Sequence, residues 1–129
     1  MPHLIIDYSS NLEEAVDMAG LCDALRVCAT GLAAFPAAGV RVRATPAPHY
    51  SIADGNPAHG YIDISVRLRG GRDQSVKEAA TSALFAAAKD FIAPVMAKHP
   101  IALSFEMRDI DPTLSPKVGT IRDHLKDTP

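Results

Sequence analysis

The sequence predicts an α/β (α+β) fold, in which duplicated β-α-β units build a four-stranded mixed sheet with two helices on one face. Three observations predict it. Residues 60–68 and 101–109 alternate apolar and polar side chains with period two, as half-buried strands do. The stretch after Asp73 repeats apolar residues at helical spacing instead. A proline-containing link at 46–60 divides the chain into halves that each read strand, helix, strand.

Taken in order, strand one covers about residues 2–7, where Leu4, Ile5 and Ile6 form a short buried run. Ser10 and Glu13 have the spacing of a capping box. Gly20 weakens that first turn, so helix one is firm over about 17–30. Gly31 suits the position just past its end, and Pro36 opposes continuation. Strand two, at about 39–47, sets Val40 and Val42 on one face and Arg41 and Arg43 on the other. Pro46 and Pro48 should end its regular pairing.

Asp54, Gly55, Asn56 and Pro57 form a turn by composition. In strand three Ile62, Ile64, Val66 and Leu68 oppose Tyr61, Asp63, Ser65 and Arg67. Asp73 is the expected N-cap of helix two, whose apolar stripe is Val76, Ala80, Ala83, Leu84, Ala87 and Phe91. Pro94 should kink or end that helix, because it lacks a donor and clashes one turn back. Strand four sets Ile101, Leu103, Phe105 and Met107 against Ala102, Ser104, Glu106 and Arg108. The expected organisation is one domain over 1–129, made of a unit at 2–47, a unit at 60–109 and a tail at 110–129. A helical turn near 120–125 interrupts an otherwise irregular tail.

Within each unit a right-handed crossover makes the two strands parallel. Two helices cover one face of such a sheet. The other face carries Arg, Ser, Asp and Glu, so it requires water or a partner, and a ring of subunits around a wet centre would supply one.

A chain of 129 residues can bury a substantial core, and 47% hydrophobic with 22% charged residues suits a soluble globular protein. A formal charge of −2 argues against a nucleic-acid or membrane-surface role. The apolar runs are shorter than the roughly 18 residues of a membrane span. The N-terminus shows no signal-peptide pattern, and Cys22 and Cys28 read as reduced residues of a cytoplasmic protein.

The chemistry-bearing candidate is Pro2. Removal of Met1 would leave a secondary amine on a ring whose φ is fixed, a base on a stiff mount. Arg72 stands between glycines and a helix start, a setting in which backbone and guanidinium can both approach a carboxylate. His3 reads as structural or interfacial, and Arg67 and Arg69 as a polar sheet face. His49, His59, His99 and His124 lack metal-ligand spacing, so neither a metal nor a cofactor is expected.

With Pro2, V-R-V at 40–42 and G-G-R-D at 70–73 in view, the chain resembles the tautomerase superfamily. P-H-L-I-I at 2–6, F-P-A-A-G-V-R-V-R at 35–43, A-D-G at 53–55, A-L-S-F-E at 102–106 and P-T-L at 112–114 resemble its 5-carboxymethyl-2-hydroxymuconate isomerase family. The resemblance implies a homotrimer of tautomerase-like subunits with the amino-terminal proline, Pro2, as catalytic base. It implies an isomerase that moves a proton between carbons of a carboxylate-rich dienol in bacterial aromatic-acid (homoprotocatechuate) degradation. The G-R segment before helix two is similar to that of the smaller 4-oxalocrotonate tautomerase, which implies a substrate-binding role for Arg72. Arg41 resembles the other carboxylate-binding arginine of that enzyme, and Arg43 shares its strand face as a helper. The partners expected are a di- or tricarboxylate substrate and further copies of the chain. The alternative is a non-catalytic trimer that binds small molecules or regulates on the same fold.

Overall fold

The computed structural model describes residues 2–126; Met1 and residues 127–129 lie outside the described residues. Strand β1 (His3–Ser9) buries Leu4, Ile6 and Tyr8 completely or nearly so, while His3, Ile5 and Asp7 turn the other way. Helix α1 (Met18–Thr30) starts where Asp17 accepts a hydrogen bond from the Gly20 amide at 3.0 Å. The expected capping box at Ser10 does not form. Residues Ser10–Leu12 make a single 3-10 turn, and Glu13 instead accepts a hydrogen bond from the Tyr8 hydroxyl. Gly31 caps α1 at φ −85°, so it uses none of a glycine's freedom there.

Strand β2 (Arg41–Ala47) begins two residues later than expected, because Ala37–Gly39 close a 3-10 turn with Gly39 N–H donating to Pro36 O at 2.9 Å. Pro46 does not end the pairing: it stands opposite Tyr8, on an edge strand where a missing donor is tolerated. Strand β3 (Gly60–Arg69) buries Ile62, Ile64, Val66 and Leu68, as its alternation predicts. Helix α2 (Gln74–Met96) buries Ala80, Leu84, Ala88 and Ile92. That stripe is narrower than expected and rotated, leaving Val76 exposed. Pro94 lies inside the helix, which continues to Met96; only the last turn is left to lose a donor. Strand β4 (Ile101–Ile110) completes the sheet.

The strand order is β2-β1-β3-β4, with β1–β2 and β3–β4 parallel and β1–β3 antiparallel. Each parallel pair belongs to one β-α-β unit, and the antiparallel pair joins the units. The two helices share the buried face, where the core of β1 and β3 meets Leu21 and Leu25 of α1 and Leu84 and Ile92 of α2. Helix α2 is long and apolar enough to cross a membrane by length and composition. Its Ala80–Ile92 stripe is buried in the core, however, and Lys77, Glu78, Lys89 and Asp90 punctuate it.

Candidate active site

The register of the sheet brings the start of β1 and β2 to the same end as the finish of β3 and β4. On the open face this sets Arg41, His3, Arg67 and Arg108 in one cross-strand row. Two residues along, the row is Arg43, Ile5, Ser65 and Glu106; two further, Thr45, Asp7, Asp63 and Ser104. The open face is thus basic at the Pro2 end and acidic at the other. The acidic end satisfies itself in part, since Asp7 accepts from the Tyr61 hydroxyl at 2.8 Å and Asp63 from the Ser104 hydroxyl at 2.6 Å. At the basic end, among the described residues, only Arg108 has an ion-pair partner, Glu106 at 3.4 Å. Burial and then the guanidinium groups of Arg67, Arg41 and Arg43 hold the His3 imidazole below its ordinary pKa. Arg43 lies 3.5 Å from His3 Nδ1.

Pro2 stands at the head of β1 and is fully buried. The Arg41 amide donates to the Pro2 carbonyl at 3.3 Å, so the two strand heads are tied together at these residues. Beside them opens a cavity of about 270 Å³. Ala38, Gly39 and Arg41 form its wall on the β2 side, and Lys117, Gly119, Ile121 and Arg122 of the tail form the other. The tail folds back over this end of the sheet, held at its start by an Asp111 turn in which Thr113 N–H donates to the carboxylate at 2.9 Å. It includes a 3-10 turn, Ile121–His124, which is the short helical turn expected near 120–125.

Arg72 takes a different position. Gly71 has φ +107°, a conformation that favours glycine, and the chain reverses there. Arg72 Nε then donates to Ala34 O at 3.0 Å and its Nη1 to Arg69 O at 2.9 Å. Two of five guanidinium N–H groups are therefore used, one tying Arg72 to the loop that leads into β2 and one to the end of β3. Asp73 sits at the N-cap of α2 without a side-chain bond; its carbonyl accepts from Val76 and Lys77.

The structure thus brings Pro2 and Arg41 together, places Arg43 one step along the open face, and gives Arg72 to the adjoining loop. Lys117 and Arg122 were not singled out in the sequence. They follow no motif, and only the return of the tail places them beside Arg41. Among the described residues no group of three or more His, Cys, Asp and Glu side chains could hold a metal. His59 instead pairs with Asp54 at 2.8 Å, and burial raises the pKa of both cysteine thiols.

The family model for 5-carboxymethyl-2-hydroxymuconate isomerase matches residues 2–125. The chain belongs to the 5-carboxymethyl-2-hydroxymuconate isomerase family. It is 31% identical over 128 residues to the 5-carboxymethyl-2-hydroxymuconate Delta-isomerase of Escherichia coli, covering 98% of this chain and 100% of that one. A crystal structure of a 5-carboxymethyl-2-hydroxymuconate delta-isomerase superposes with a TM-score of 0.88 at 30% identity, over 100% of this chain and 95% of the other. The corresponding isomerase of Deinococcus radiodurans R1 gives a TM-score of 0.89 at 27% identity, over 98% and 95%. This member of the isomerase family has the tautomerase-like fold, shared at a TM-score of 0.60 and 23% identity with a fused 4-OT asymmetric trimer.

Proposed function

We propose that this isomerase moves a proton between carbons of an unsaturated, carboxylate-rich dienol of the 5-carboxymethyl-2-hydroxymuconate type, with Pro2 as the base. The observation that carries the reading is the burial of Pro2 at a strand head bonded to Arg41, at the basic end of the sheet. Once Met1 is removed, the Pro2 nitrogen is a secondary amine. Low solvation and nearby cations both disfavour its ammonium form, and each unit of lowered pKa corresponds to about 1.36 kcal/mol. The amine is then free to accept a proton from one carbon and return it to another. As the proton leaves, negative charge spreads into the conjugated carboxylate, and a guanidinium already in place stabilises it without reorganisation. Arg41 is assigned that role, Arg43 assists from the same face, and the unused N–H groups of Arg72 offer a second carboxylate clamp.

The rest of the reading follows from the surface. The uncovered polar face calls for a partner, and a homotrimer with the helices outside satisfies it. The chain acts as one domain, 1–129, since strands of both units share one sheet. Two free cysteines suit a cytoplasmic enzyme, here of aromatic-acid degradation. An ultraviolet assay of dienol-to-ketone conversion across unsaturated di- and tricarboxylates tests the activity. We expect the tricarboxylate to be turned over most efficiently; no conversion of any of them by the Pro2-initiated form would refute the reading.

A further inference from the structure

Three cationic side chains, Arg41, Lys117 and Arg122, line one cavity, and no carboxylate lines it with them. Among the described residues none of the three has an ion-pair partner; the pairs that form use Arg26, His59, Lys77 and Arg108. Like charges gathered around an open space repel, and an anion placed between them relieves that repulsion. The remaining wall is apolar or small, with Val118, Ile121 and Ala38, which suits the carbon skeleton of an organic acid rather than a hydrated inorganic ion. A volume of about 270 Å³ accommodates a molecule of that size.

We propose that the C-terminal tail is part of the substrate site, with Lys117 and Arg122 binding carboxylate groups that Arg41 does not reach, and that this selects tricarboxylates over dicarboxylates. The assignment rests on the reading of Arg41 as a substrate ligand and extends it to residues that no motif marks. Arg41 contributes from a strand and is held by the sheet. Lys117 and Arg122 contribute from irregular chain that returns over the strand heads. Discrimination between ligands differing by one carboxylate then resides in the tail, because an extra charge is rewarded only where a further cation meets it.

The test measures binding and turnover separately. Calorimetric titration with propane-1,2,3-tricarboxylate and with glutarate, neither of which can react, is run on the wild type and on Lys117→Ala, Arg122→Ala, the double variant and Lys98→Ala. Lys98 lies beyond α2 and serves as a charge-matched control. Each single tail variant is expected to weaken the tricarboxylate about ten- to hundred-fold, the range of a lost charge-assisted hydrogen bond. Glutarate binding and the Lys98→Ala variant should stay within about threefold of wild type. In turnover, KM for the tricarboxylate dienol should rise while kcat holds. Tricarboxylate binding that is undetectable in the wild type, or unchanged in the double variant, or equally weakened by Lys98→Ala, would overturn the assignment. Loss of binding in the tail variants together with no turnover by the wild type would refute proton transfer and leave the tail site standing.

Discussion

The Arg41 amide donates to the Pro2 carbonyl, fixing the residue assigned as base to the strand that carries the assigned carboxylate ligand. The bond uses the carbonyl of Pro2 and leaves its nitrogen out of the sheet ladder. What that nitrogen can do depends on Met1. In a chain that keeps Met1 it is a tertiary amide with its lone pair delocalised; in a chain that begins at Pro2 it is an amine. The Met1-bearing form should therefore be slower by about 10²–10⁴-fold, the usual effect of losing a positioned general base. Preparing both forms, verifying each by intact mass and assaying them on one dienol checks this. Equal rates would remove the Pro2 amine from the mechanism.

Arg72 is both loop anchor and proposed ligand, and the two roles separate by substitution. Arg72→Ala should lower stability by about 1.5–3 kcal/mol, since bonds from a charged donor to Ala34 and Arg69 carbonyls are lost. It should also lower kcat/KM by roughly ten- to hundred-fold. Arg72→Lys keeps the charge but cannot fork between two carbonyls, so it should recover part of the activity and less of the stability. Thermal melts and steady-state kinetics on the same samples measure both.

Gly20 sits in the first turn of α1, where alanine would ordinarily improve helix propensity by about 1 kcal/mol. A Cβ there would stand 2.5 Å from an Asp17 carboxylate oxygen and 2.9 Å from Phe91 Cζ of α2. The Asp17 carboxylate is anchored through Oδ1 by the cap and Phe91 packs against the core, so neither yields freely. Overpacking should win, and Gly20→Ala should destabilise by about 1–3 kcal/mol in denaturant titration. A gain in stability would show that the interhelical contact is loose.

His3 gives the protein an acid-sensitive element. Its folded pKa lies below the unfolded value of 6.5 through burial and the Arg67, Arg41 and Arg43 charges. Between those two values the unfolded chain binds more protons than the folded one. His3 therefore makes stability fall as pH drops from about 6.5 towards the folded pKa, and adds no slope above that window. Melting temperatures from pH 5 to 8 should show a shallower acid limb in His3→Gln than in wild type. Superimposable curves would mean that His3 is not held among these charges.

The polar open face, with Arg67 at one end and Asp63 at the other, is the surface proposed to face neighbouring subunits. Light scattering should give three times the chain mass of 13.7 kDa. Asp63→Lys should shift the population towards monomer, because it reverses one of the two carboxylate charges, Asp7 and Asp63, at the acidic end. A stable wild-type monomer would refute the ring.

Much of the architecture was legible because it is written locally. Period-two alternation in β3 and β4 survives any tertiary context that buries one face, and their limits moved by a single residue. Pro2, Arg41, Arg43 and Arg72 could be singled out as candidates because their motifs are short and contiguous. What the sequence by itself determined was the order of elements and the face each strand buries; for the chemistry it supplied candidates.

Only the tertiary structure decided the rest. Pro46 could stay in β2 because that strand is an edge, a fact of sheet order rather than of composition. The buried stripe of α2 fell on Ala88 and Ile92 because the sheet, not the helix, chooses which side is covered. The guanidinium of Arg72 turned to the Ala34 carbonyl across 38 positions, a contact that no local rule anticipates. The gathering of Lys117 and Arg122 beside Arg41 is of the same kind. Residues far apart in sequence meet where the chain's return path puts them, and that path is set by packing over the strand heads, which no window of sequence contains.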